Sequence, residues 1–63
     1  MNRAFTGVGF FDEPKANNRQ EYWIRYHGVL WTAISATPLS LKTGEKVKVV
    51  GRQGNRLIIE AFS

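Results

Sequence analysis

The residues of this chain that could do covalent chemistry are few, and their spacing brings none of them together. There is one histidine and no cysteine among 63 residues. His27 precedes Gly28 between runs of β-branched and aromatic residues, which puts it at a hairpin tip. A general base there would need an orienting carboxylate and a nearby nucleophile. Ser35 and Ser40 sit in no nucleophile-elbow pattern, and Asp12 and Glu13 are adjacent, so on one strand they face opposite ways. A lone histidine leaves none of the usual metal-ligand spacings. The absence of cysteine removes thiolate sites and a disulfide scaffold. Gly7 and Gly9 could open a phosphate loop, but no helix N-terminus follows them. The expectation is a chain with no catalytic residue, no metal and no cofactor.

Binding chemistry remains, and the hairpin over residues 22–35 concentrates it. A two-residue loop at His27-Gly28 sets Tyr26 opposite Val29, Ile24 opposite Trp31 and Tyr22 opposite Ala33. These six share one apolar face, the expected core face. The other face carries Trp23, Arg25, Leu30, Thr32 and Ile34, too hydrophobic for a merely solvated surface. An aromatic, an arginine and two aliphatics match the centre of a protein–protein interface. Base stacking along a phosphate backbone is the competing use, though platforms of that kind show more than one aromatic. A third reading packs Trp23 under the preceding loop as a satellite of the core.

The elements that must position this face follow from the punctuation of the chain. Residues 3–11 read as a first strand whose two glycines let it bend or let another backbone approach. Residues 12–20 read as a loop, broken by Pro14 and Asn17-Asn18, with Lys15 and Arg19 available to an acidic partner. Pro38 stops the third strand; Leu39 and Leu41 then tuck a short connection, as a single 3₁₀ turn, onto the barrel end, and Gly44 turns the chain. Residues 45–51 alternate, with Val47 and Val49 inward and Lys46, Lys48 and Val50 outward. Gly54-Asn55 supply left-handed positions in the turn over 52–55. The last strand, 56–62, turns Leu57, Ile59 and Ala61 inward and Ile58, Glu60 and Phe62 outward. Five short strands and no periodic helix predict an all-β protein: a small barrel of the oligonucleotide/oligosaccharide-binding (OB) type, with an SH3-like barrel as the alternative. One domain covers residues 1–63, residues 1–4 being expected to lack fixed structure.

Charge narrows the partner. The net charge is +4 and the isoelectric point near 10.0, which suits nucleic acid, anionic lipid heads or an acidic protein surface, or serves solubility alone. Lys46, Lys48, Arg52 and Arg56 form a candidate basic rim that could sit against lipid heads. No apolar run approaches the ~18 residues a membrane helix needs. The N-terminus, with a short Gly-broken apolar stretch, makes a poor signal peptide.

Laid out this way, the chain resembles the C-terminal domain of the NfeD family (nodulation formation efficiency D-like proteins). The resemblance rests on Ile24-Arg25-Tyr26-His27-Gly28, then Trp31-Thr32-Ala33-Ile34-Ser35, Leu41-Lys42-Thr43-Gly44, Val47-Lys48-Val49-Val50-Gly51 and Gly54-Asn55-Arg56-Leu57-Ile58-Ile59-Glu60. It covers the last two thirds of the chain; earlier, Asn17-Asn18 stand where the family has a glycine. It implies a five-stranded OB-like barrel from a membrane-associated protein, tethered on the cytoplasmic side. It also implies an interaction role, with stomatin- or flotillin-type (SPFH) proteins as partners. Family members carry transmembrane helices ahead of the barrel, and long forms add a serine protease domain; no catalytic residue carries over to these positions. The reading is therefore a non-enzymatic docking module using the outer face of the second and third strands. Single-stranded nucleic-acid binding is the alternative.

Overall fold

A computed structural model describes residues 5–15 and 20–62, all of them in strands, turns and connections with no helix. The strands are β1 (Gly7–Pro14), β2 (Glu21–Tyr26), β3 (Val29–Ile34), β4 (Lys46–Gln53) and β5 (Arg56–Ala61). They close into a barrel in the order β1-β2-β3-β5-β4, antiparallel except for the parallel β3–β5 pair. This agrees with the small OB-like barrel expected from the strand count. Closure leaves little unpaired edge for aggregation.

Closure depends on β1 serving two neighbours. Its first half, Gly7 to Phe10, pairs with β4, and its second half, from Phe10 to Pro14, pairs with β2. The strand must turn between the two, and Gly9 makes that space. A Cβ at Gly9 would lie 2.7 Å from Ile24 Cγ2 and 3.3 Å from Val49 Cγ2. The strand runs on to Pro14 through a bulge between Phe11 and Glu13, so Asp12, Glu13 and Pro14 belong to β1 and not to the expected 12–20 loop. Pro14 is tolerated because only β2 flanks that half of β1. The expectations for residues 1–4, Asn17-Asn18 and Arg19 lie outside the described residues.

The β2–β3 hairpin has the expected register throughout, from Tyr26↔Val29 to Glu21↔Ile34. His27 (φ 51°) and Gly28 (φ 75°) both take left-handed backbone, the combination a two-residue hairpin loop requires. Tyr22, Ile24, Tyr26 and Ala33 are buried with Phe11, Val47, Val49, Leu57 and Ile59 in one core. A fully buried aliphatic side chain contributes about 1.5–3 kcal/mol, so Ile24, Leu57 and Ile59 each matter in a chain this short.

The core departs from the sequence reading at the barrel ends. Val29, expected inside, is 56% exposed, because β5 joins β3 only from Thr32 onward and leaves the hairpin tip without a neighbouring strand among the described residues. Ala61 is exposed for the matching reason at the other end of β5, where β3 no longer runs alongside. Trp31 is half-buried, edge-on to Phe5 at 5.5 Å. The turn after β4 uses one left-handed residue, Gly54 (φ 64°), and not Asn55. β4 also runs two residues past the expected end, with a bulge between Val49 and Gly51.

The connection from β3 to β4 is the expected short one, without a 3₁₀ turn. Leu39 and Leu41 pack against the core. The Leu39 N–H donates to the Tyr22 hydroxyl at 2.8 Å, and Gly44 N–H to the Phe11 carbonyl at 2.8 Å, so polar bonds pin the connection to β1 and β2.

Candidate functional site

The outer wall of β2 and β3 is where the five candidate residues come together. Trp23, Arg25, Thr32 and Ile34 alternate with buried or half-buried residues and Leu30 follows exposed Val29, so the period that fills the core also turns these five out. Across the hairpin, Trp23 pairs with Thr32, Arg25 with Leu30, and Glu21 with Ile34. They are not equally accessible. Arg25 and Leu30 are exposed, Leu30 at 42%, whereas Trp23, Thr32 and Ile34 are half-buried. Lys15 explains part of this, since its Nζ stands 4.8 Å from the centre of the Trp23 ring. Lys15, just past β1, thus partly covers Trp23. Leu30 and Arg25 are the accessible pair.

The four basic residues do not form one rim. Lys46 and Lys48 alternate outward at the start of β4, opposite Phe10 and Val8 of β1. Arg52 lies six residues on, roughly 20 Å along the strand. Its guanidinium sits 4.8 Å from the Phe5 ring centre and 5.7 Å from that of Trp31, and its Nε donates to the Gly54 carbonyl at 2.6 Å. Arg52 therefore closes one barrel end over two aromatics. Arg56 pairs with Glu21 at 3.4 Å beside β3. Of these four, Lys46 and Lys48 are the two with no ion pair or ring contact among the described residues.

Two residues belonging to this surface escape the hairpin-centred reading. Phe10 is 44% exposed and Val8 42% exposed, both on the outer side of β1. Phe10 is partnered on both sides, by Arg25 of β2 and by Lys46 of β4. The signal was present in the alternation: Gly9 and Phe11 face inward, so a phenylalanine between them must face out.

Of the residues of catalytic type, Ser35 and His27 are engaged in structure. Ser35 is buried; its Oγ donates to the Thr37 carbonyl at 2.6 Å and accepts from the Thr37 N–H at 3.3 Å. The His27 ring stacks on Tyr26 at 4.1 Å at the exposed hairpin tip, and Ser40 is exposed on the connection. Among the described residues no group of three or more His, Cys, Asp or Glu is arranged to hold a metal.

A small closed barrel whose inner positions are filled by side chains and whose outer wall shows apolar and cationic groups side by side defines a binding domain. The sequence profile described as "NfeD-like C-terminal, partner-binding domain" matches residues 13–60. The chain belongs to the NfeD family, and the matched region is its partner-binding domain. No curated protein and no solved structure matches the chain.

Proposed function

We propose that this barrel is a non-enzymatic docking module that holds a stomatin- or flotillin-type protein against the outer face of β2 and β3. The observation that carries the reading is Leu30, 42% exposed beside Arg25, which makes no ion pair among the described residues. An apolar side chain next to an unpaired guanidinium gains on being covered by a complementary surface. Half-buried Trp23, Thr32 and Ile34 form the firm floor around the pair. The partner-binding description of the family favours a protein as the ligand. Tethering at the cytoplasmic side of a membrane belongs to the same proposal.

The test is a binding titration against the purified stomatin-type protein of the same genome. Leu30→Asp alone, and Trp23→Ala combined with Leu30→Asp, are expected to weaken binding by about tenfold or more while circular dichroism still reports the barrel. Unchanged affinity for folded Leu30→Asp overturns the reading. Single-stranded DNA or RNA is the second reading, favoured by exposed Phe10 flanked by Arg25 and Lys46. It requires affinity for mixed oligonucleotides that falls steeply with salt. Absence of binding at low salt removes it.

A further inference from the structure

The register of the barrel aligns side chains that lie far apart in the sequence. Leu30 on β3 stands opposite Arg25 on β2, Arg25 opposite Phe10 on β1, and Phe10 opposite Lys46 on β4. Ala61 is the partner of Val47, and Phe62, 52% exposed, follows it just past the end of β5, on the side where Lys46 precedes Val47. The order around the wall is thus Leu, Arg, Phe, Lys, Phe, apolar and cationic by turns. All five are exposed. Neighbouring strands lie about 4.8 Å apart, so the backbones of Arg25 and Lys46 stand roughly 10 Å from each other with Phe10 on the strand between them. Neither Arg25 nor Lys46 has an ion pair among the described residues. Glu13 opposite Trp23 and Glu60 opposite Lys48 belong to flanking rows, Asp12 lies two residues beyond Phe10 on β1, and Glu45, just before Lys46, accepts from the Lys42 N–H through its Oε1 at 3.0 Å.

We infer that this row, Leu30, Arg25, Phe10, Lys46 and Phe62, is the track on which an acidic partner segment carrying apolar side chains lies. The inference rests on the docking reading and extends its surface from β2–β3 across β1 to β4. Charge complementarity requires an anionic occupant, since the row holds two cations and no carboxylate. The three apolar members require that the occupant also bury hydrocarbon. An anionic bilayer offers both, but it is flat. The row passes over β3, β2, β1 and β4 and on to Phe62 past the end of β5, round a body only 26 × 23 × 20 Å across, so its members do not share one plane. A polynucleotide could stack on Phe10 but has nothing to bury against Leu30. A polypeptide segment can follow the curve and alternate carboxylates with apolar groups.

The experiment follows amide chemical shifts of the whole chain during titration with four probes. These are a short peptide of Glu, Asp, Leu and Phe, its Gln/Asn analogue, phosphatidylglycerol vesicles and oligothymidylate. The acidic peptide is expected to perturb residues 10, 25, 30 and 46 together, and the uncharged analogue to bind about tenfold more weakly. Phe10→Ser and Lys46→Glu are each expected to weaken the acidic peptide by a similar factor, and Lys42→Glu, the same charge change on the connection, to leave it unaltered. Perturbations elsewhere, or equal affinity for Lys46→Glu and the parent, overturn the inference. So does binding along the row by vesicles or oligothymidylate in place of the peptide. The two proposals separate in the titration against the stomatin-type protein. Loss on Leu30→Asp with full binding by Phe10→Ser and Lys46→Glu removes the extended track and leaves the docking face standing. Full binding by all three removes both.

Discussion

Replacing Gly9 by alanine adds one methyl group at the place where β1 changes neighbours. The new Cβ would stand 2.7 Å from Ile24 Cγ2, 3.3 Å from Val49 Cγ2 and 3.4 Å from the Arg25 carbonyl oxygen. Carbon atoms rest at about 3.5–4.0 Å, so Ile24 would have to retreat by nearly 1 Å. It has nowhere to go: its side chain is wholly buried, and a β-branched χ1 is stiff. Overpacking of this kind costs about 1–3 kcal/mol. Against it stands a gain of about 0.4–1 kcal/mol from removing a glycine from the unfolded chain. The clash wins, and Gly9→Ala is expected to destabilise the barrel by about 1–2 kcal/mol. For a domain of this size each kcal/mol lowers Tm by about 4–8 °C. Urea unfolding followed by tryptophan fluorescence measures the difference directly.

A double-mutant cycle isolates the cause. Ile24→Leu removes the Cγ2 methyl at roughly constant volume, and by itself should cost less than about 1.5 kcal/mol. If the methyl–methyl clash is the mechanism, the pair should be less damaging than the sum of the singles by at least about 0.5 kcal/mol. A neutral or stabilising Gly9→Ala, or strict additivity with Ile24→Leu, refutes the reasoning that β1 closes the barrel by close approach at Gly9.

Three further outcomes are expected. Tyr22→Phe deprives the Leu39 N–H of its acceptor at 2.8 Å and should cost about 1–2 kcal/mol, with faster hydrogen exchange at the Leu39 amide as the local readout. Gly28→Ala meets no atom within 4 Å, so its cost is backbone strain alone at φ 75°, about 1–2 kcal/mol by thermal unfolding, and Gly28→Asn should cost less. Arg56→Gln breaks a pair with Glu21 at 3.4 Å whose arginine side is 51% exposed; its loss should not exceed about 1 kcal/mol and should shrink as salt is raised.

The hairpin was legible because its information is local. A two-residue loop fixes register, and register fixes the face of every residue from Tyr22 to Ala33. Val29 and Ala61 were misassigned because alternation says which side a residue faces but not where the neighbouring strand ends. Their exposure is decided by a β3–β5 pairing that starts at Thr32 and stops at Ile34, and that parallel contact joins segments more than twenty residues apart. The end of β1 failed for a related reason. Asp12-Glu13-Pro14 has the composition of a loop, yet the bulge after Phe11 lets β2 recruit it as strand. The four basic residues were grouped by sequence proximity; a bulge in β4 and two aromatics at one barrel end divide them. Phe10 was readable as outward, but its position between Arg25 and Lys46 required knowing that β1 has two partners.

In so small a barrel the buried inner positions are committed to the core, so variation in binding must be written on the exposed wall. Val8, Phe10 and Leu30 are each more than two fifths exposed, and none belongs to the core cluster. A strand does not need them in order to form, since threonine fits a half-exposed pleated surface as well. Replacing all three by threonine should therefore leave the folded state intact, surface changes of this kind being worth about ±0.5 kcal/mol each. Binding to the partner protein should fall far more than stability does, because exposed apolar groups gain only when something covers them. Thermal unfolding and the partner titration, run side by side on this variant, set the two quantities against each other. A large drop in Tm would mean that the three side chains prop up the barrel from outside, and the division between an inner surface for folding and an outer one for recognition would not hold.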